Sequence, residues 1–159
     1  MMMLDEIGTA VLLVLITLSV QCAGAAMLIN WLRRALGREF RAVRMSSSAV
    51  LVMQATIGVI ILQGLIILLW ASYYRWHCFS SWESAFYFSA TSYSTVGYGD
   101  VVLPPQWRLL GPLESMTGVL MCGISVSLLF ALVSKLVARE APPLLQESAA
   151  ESRVTQGTG

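Results

Sequence analysis

Ser94-Thr95-Val96-Gly97-Tyr98-Gly99-Asp100 is the stretch on which the fold turns. It sets two glycines either side of a tyrosine and closes on a carboxylate. Just upstream, Ser80-Ser81-Trp82-Glu83 has the S-x-x-E form of a helix start, with Ser80 as the cap and Glu83 reaching back. The run that follows, SAFYFSATSY at 84–93, contains no Gly or Pro and reads as helix. At 1.5 Å per residue such a helix is roughly 15–18 Å long, about half a bilayer. It is too short to cross, so the pattern predicts a re-entrant segment that enters and returns on one side. Irregular backbone at membrane depth is tolerated only where protein buries it or water lines it.

Composition supplies the membrane. The chain has 159 residues, 57% hydrophobic and only 12% charged, with mean hydropathy +0.71. A soluble chain carries about a quarter charged residues, so this one lacks the charge to cover a water-facing surface. Net charge is +1, which excludes a global basic field for nucleic acid. Three cysteines are too few for a disulfide scaffold, and the hydrophobic content excludes a chain disordered throughout.

Three long runs carry no charge: 7–32, 45–74 and 115–134. Each meets the roughly 20 apolar residues that a helix needs to span the hydrocarbon core. The expected organisation is an N-terminal transmembrane helix at 5–32 and a basic linker at 33–48, then a second spanning helix at 49–74. After the short helix at 81–93 comes a third span at 106–138, then a disordered tail at 139–159 beginning near Ala141-Pro142-Pro143. The fold class is therefore an all-α membrane protein with three transmembrane helices.

Orientation follows from the Lys/Arg bias of short loops. Arg33, Arg34, Arg38, Arg41 and Arg44 face a single Glu39 in the first link, which places that link in the cytoplasm, and Lys135 with Arg139 returns there. The expected topology is N-terminus outside and C-terminus inside, a multi-pass protein of the plasma membrane whose first span stays in place as an anchor. Arg38, Arg41 and Arg44 recur at every third position, as in a voltage sensor. Sensor arginines lie inside an apolar span, however, and these lie between spans. The better reading is an interfacial helix whose five arginines meet anionic lipid headgroups.

The six residues Thr95-Val96-Gly97-Tyr98-Gly99-Asp100 resemble the T-V-G-Y-G-D signature of the pore-loop potassium channels. A bare G-Y-G would be weak. Here the full run follows a half-length helix between two spans, and the resemblance covers roughly 49–138. It implies a homotetrameric K+ channel in which 49–74 is the outer helix, 81–93 the pore helix, 95–99 the selectivity filter and 106–138 the inner helix. K+ would be held at Thr95, Val96, Gly97 and Tyr98, with Gly99 completing the filter and Asp100, Tyr87, Thr91 and Ser94 supporting it. Many relatives have Thr at Ser94, tryptophans at Tyr87 and Phe88, and some a buried glutamate at Thr91. Of the two aromatics here, only Tyr87 has a hydroxyl with which to brace Asp100. Tyr98 with Asp100 separates the chain from the non-selective cation relatives.

The physical requirement behind that signature is plain. A permeating cation exchanges water oxygens for protein oxygens at nearly equal free energy, and backbone carbonyls supply oxygens of moderate field strength. Turning successive carbonyls to one axis needs alternate residues at φ > 0, which Gly97 and Gly99 adopt without a Cβ penalty. Thr95 adds a hydroxyl, and the C-terminal end of the short helix favours a cation below the loop. The fourfold ring that the resemblance implies takes one loop per chain here, since the chain holds no internal repeat, so a homotetramer is required if the loop conducts. The permeant K+ is the only bound ion expected, with no cofactor.

Other residues have blander readings beside sharper ones. Gly118 and Gly123 are the candidate gating hinges: spacing from the loop selects Gly118, and the context Gly123-Ile124-Ser125 selects Gly123. Close helix packing explains either equally well. Gln54 and Gln63 read as interhelical hydrogen-bond partners. Cys22 and Cys122 read as small apolar residues. Cys78, beside His77, is external: a free thiol, with an inter-subunit disulfide as the alternative. One His and one Cys lack the ligands for a metal site. Asp100, Glu114 and Glu83 are expected near the outer mouth, where they enrich cations. An enzyme is excluded because His77 has no acid, base or nucleophile in view. The alternative to a conducting channel is an accessory membrane subunit that retains the fold, against which the intact signature argues.

Overall fold

The computed structural model describes residues 2–38 and 45–140. Arg41, Arg44 and the tail at 141–159 lie outside the described residues, as does the side chain of Arg38. Among the described residues four α-helices follow one another: α1 (Met2–Arg38), α2 (Met45–His77), α3 (Trp82–Tyr93) and α4 (Leu110–Glu140). Among the described residues there is no strand. Three helical stretches, Gly8–Arg34, Ala49–His77 and Pro105–Ala138, are long and apolar enough to cross a membrane. The protein is an all-α membrane protein.

The helices outrun the uncharged segments that announced them. α1 continues past residue 32 through Arg33 and Arg34 to Arg38, because Arg, Leu and Ala are all good helix formers. α2 begins four residues before 49 and ends three beyond 74. The third span opens differently from expectation. Pro105 starts a single 3-10 turn, Pro105–Trp107, and α4 begins only at Leu110. Pro112, which has no amide hydrogen to donate, falls in the first turn of α4, where no intrahelical donor is required.

The spans alternate in direction. Ala10 and Leu13 of α1 share a buried cluster with Ile66, Trp70 and Tyr74 of α2, Ala85 and Tyr93 of α3, and Leu110 and Met121 of α4. Leu32 of α1 packs instead with Leu51, Ala55, Leu132 and Leu136. The start of α1, the end of α2 and the start of α4 thus gather at one face, together with α3. α1 and α2 approach closely through small residues. A side chain at Gly58 would sit 3.1 Å from Leu28, and one at Gly24 would overlap Leu62.

Polar side chains fasten α1 to the rest. Trp70 donates its indole N–H to Thr17 Oγ1 at 2.9 Å. Gln21, almost fully buried, donates to Ser125 Oγ at 3.0 Å. Gln63 of α2 donates to the same oxygen at 3.0 Å, and Ser125 passes its own hydrogen to the Met121 carbonyl at 2.9 Å. A hydroxyl offers one hydrogen and two lone pairs, so Ser125 is saturated. Gln63 Oε1 accepts from Tyr93 Oη at 2.7 Å, which brings α3 into the same junction. One hydroxyl thus joins α1, α2 and α4, and Gln63 links α3 to it. Gln54, the other glutamine expected to bridge helices, is exposed.

Candidate functional site

α3 is capped one residue later than the S-x-x-E pattern suggested. Ser81, not Ser80, is the N-cap: its Oγ accepts from the Ser84 amide at 3.1 Å and donates to Ser84 Oγ at 2.9 Å. Glu83 then falls inside the first turn, where its charge suits the positive end of the helix. The shift arises because Ser81, with extended backbone (φ −120°, ψ 147°), is the residue whose side chain reaches the third helical amide.

The other end of α3 sets the 94–100 loop. Ser94 is the C-cap, the Thr95 amide donates to the Ser92 carbonyl at 2.9 Å, and the Val96 amide donates to the Thr91 carbonyl at 2.9 Å. That pair of bonds is the Schellman ending, which requires a left-handed residue just past the cap. Glycine usually fills that position; here it is Thr95, at φ 61°. A β-branched residue in this region is strained, and such strain gathers at functional sites. The Gly97 amide adds a second bond to the Thr91 carbonyl at 3.1 Å. Ser94 Oγ donates to the Ala90 carbonyl at 2.6 Å, and Thr91 Oγ1 donates to the Tyr87 carbonyl at 2.9 Å. Ser94 and Thr91 therefore serve the helix end from which the loop springs.

Beyond Thr95 the left-handed conformation recurs at Gly97 (φ 50°) and Gly99 (φ 80°), while Val96 and Tyr98 between them stay outside it. Sequence reasoning found the two glycines and missed Thr95, because nothing in a threonine's identity announces a positive φ. The loop's far end is tied back by Tyr87, whose hydroxyl donates to Asp100 Oδ2 at 2.8 Å, while Asp100 Oδ1 accepts from the Val101 amide at 3.0 Å. Hydrogen bonding to Asp100 pushes the Tyr87 phenol above its ordinary value. On the single chain the whole loop is uncovered, with Tyr98 73% and Val96 51% exposed. A cavity of about 560 Å³ beside the loop is lined by Phe88, Ser92, Thr95, Gly97, Val102 and Arg108, among others.

Gly118 and Gly123 of α4 differ in kind. A side chain at Gly118 would run into the Tyr93 backbone carbonyl, so this glycine lets α4 touch the end of α3. At Gly123 nothing lies within 4 Å of an added Cβ. Ser115 strengthens the same contact by donating to the Ser92 carbonyl at 2.7 Å.

Glu114 is not at an outer mouth. It is fully buried, accepting from Tyr74 Oη of α2 at 2.8 Å and contacting Ser89 Oγ of α3 at 2.6 Å. Its distance from those partners along the chain hid this arrangement. The signal that pointed to it is an ionisable residue within a spanning helix. Glu83 and Asp100 are exposed as expected. His77 stacks on Tyr73 with ring centroids 4.3 Å apart, and Trp107 meets both edge-on. Cys78 is a free thiol in the single chain, and burial pushes it up to about 11.

No curated protein and no solved structure matches this chain. A family model described as "Ion channel" matches residues 49–135. The match begins in α2, spans α3 and the 94–100 loop, ends in α4, and leaves α1 outside. With more than half its length matched, the chain belongs to the ion-channel family.

Proposed function

We propose that four copies of this chain form a potassium-selective channel, passing K+ passively along a filter of Thr95, Val96, Gly97, Tyr98 and Gly99. The observation that carries this reading is the alternation of left-handed residues at 95, 97 and 99. Such alternation turns successive peptide carbonyls toward a common side, where they replace the water around a desolvated cation. The loop is anchored at both ends, by the α3 cap and by Tyr87 on Asp100, yet wholly exposed on one chain. An anchored, uncovered loop suits a ring completed by identical neighbours, one quadrant from each. Asp100, exposed at its end, enriches cations at the entrance.

The chain sits in the plasma membrane with α3 and the loop toward the outside and the C-terminus in the cytoplasm. Arg33 and Arg34, exposed near the opposite end of α1, meet anionic headgroups of the inner leaflet, together with Arg38, Arg41 and Arg44. No cofactor and no covalent chemistry enter this reading. The test is reconstitution into potassium-loaded vesicles, with reversal potentials measured under opposed K+ and Na+ gradients. A reversal potential near the K+ equilibrium value is expected. Equal permeability to the two ions refutes selectivity. A wild-type protein that carries no current, with Tyr98→Ala changing nothing, favours the accessory-subunit alternative.

A further inference from the structure

Three helices converge on Glu114, and the hydrogens available around it bear on its state. Ser89 Oγ lies 2.6 Å from Glu114 Oε1 and 2.9 Å from the Ile67 carbonyl of α2. Both distances are hydrogen-bond distances. The Ser89 hydroxyl has one hydrogen, whereas a carbonyl and an ionised carboxylate have none. With Glu114 charged, the single Ser89 hydrogen would have to be shared between both contacts. With the proton on Oε1, each contact receives one: Glu114 donates to Ser89, Ser89 donates to Ile67, and Tyr74 donates to Oε2 at 2.8 Å.

The surroundings agree. Glu114 has no exposed surface, and among the described residues it makes no ion pair. The other titratable groups facing this cluster are Tyr73 and Cys78 beside Tyr74, and Tyr93 of α3. None of them carries a positive charge. A buried, unpaired carboxylate is among the costliest groups a fold can hold, and a neutral acid with both oxygens bonded avoids that cost.

We propose that Glu114 is held as a neutral carboxylic acid that bonds α2 and α3 to α4, and that it is a positioning residue for the 94–100 loop. α3 leads directly into that loop, so a clamp at Ser89 fixes the distance and tilt of the loop's base. The consequence for ion choice rests on the channel reading above; the protonation state does not.

Infrared difference spectroscopy of the full chain in lipid, with and without 13C-labelled glutamate, reads the state directly at neutral pH. An isotope-shifted band of a protonated carboxyl group, slow to exchange with deuterium and absent in Glu114→Gln, is expected. Only ionised glutamate bands in the wild-type protein overturn the proposal, whatever the variants do. Positioning is read from K+/Na+ permeability ratios. Glu114→Gln keeps one acceptor and one donor, and is expected to hold the ratio within about twofold. Glu114→Asp is one methylene short and is expected to lose about tenfold or more, as for one buried polar group left unbonded. Gln and Asp variants of equal selectivity reject the positioning role. A wild-type infrared band in a protein that does not discriminate K+ from Na+ sinks the channel reading while leaving the protonation state intact.

Discussion

Gly118 of α4 lies against the backbone carbonyl of Tyr93, the last residue of α3, with no room for a methyl group between them. Two helices that would otherwise be held apart by side chains thus touch at the base of the 94–100 loop. Gly118→Ala is expected to cost about 1–3 kcal/mol by overpacking. Gly123→Ala meets nothing within 4 Å and replaces a poor helix former, so it is expected to leave the melting temperature unchanged or raised. Thermal unfolding of both variants in the same detergent checks the contrast. A lower opening probability in Gly123→Ala without loss of stability would identify the hinge.

The bond from Tyr87 to Asp100 closes the loop from behind. Tyr87→Phe and Asp100→Asn are each expected to weaken sustained K+ flux, because either one releases the loop's far end. The double variant is expected to be no worse than the more damaging single one, as for two residues acting through one contact. Vesicle flux assays on the three variants test this, and strictly additive losses would count against it.

Ser125 and Gln21 are partners with unequal stakes. Ser125→Ala leaves the amides of both Gln21 and Gln63 without their shared acceptor, at an expected cost of about 1–3 kcal/mol. Gln21→Leu removes a bond to Ser125 and a longer one to the Met121 carbonyl, but also a buried carbonyl oxygen that has no donor, so its net effect is expected to be smaller, about 0.6 kcal/mol. Denaturation midpoints separate the two, and equal losses would show that the junction is not organised around the serine.

Cys78 reacts as a thiolate, and burial keeps it a thiol at neutral pH. Maleimide labelling is expected to be slow at pH 7 and to speed up about tenfold per pH unit until close to pH 11. Rapid labelling at neutral pH, or a chain that runs as a dimer until reduced, would contradict this.

The fold was legible because its strongest signals are local. Uncharged runs mark spans wherever they occur, and a half-length aromatic helix before Gly97 and Gly99 needs no partner to be seen. Boundaries were less legible: charge ends an apolar run without ending a helix, so α1 continued through Arg33 and Arg34, and two adjacent serines left the cap of α3 ambiguous by one residue. The polar network was hidden for a different reason. Gln21 draws no reading of its own, and Glu114 is expected near the outer mouth. Their partners lie 104 residues away at Ser125, and 40 and 25 residues away at Tyr74 and Ser89. Thr95 was illegible for a third reason, since its backbone is dictated by the cap geometry of α3 rather than by its side chain.

The 104-residue gap between Gln21 and Ser125 has a consequence for biosynthesis. At about 5–20 residues per second, a ribosome needs roughly 5–20 s to deliver the serine after the glutamine. Throughout that interval the amide of the first helix waits at bilayer depth without its final acceptor. That amide is therefore expected to take temporary partners, water or backbone carbonyls, until the last helix arrives.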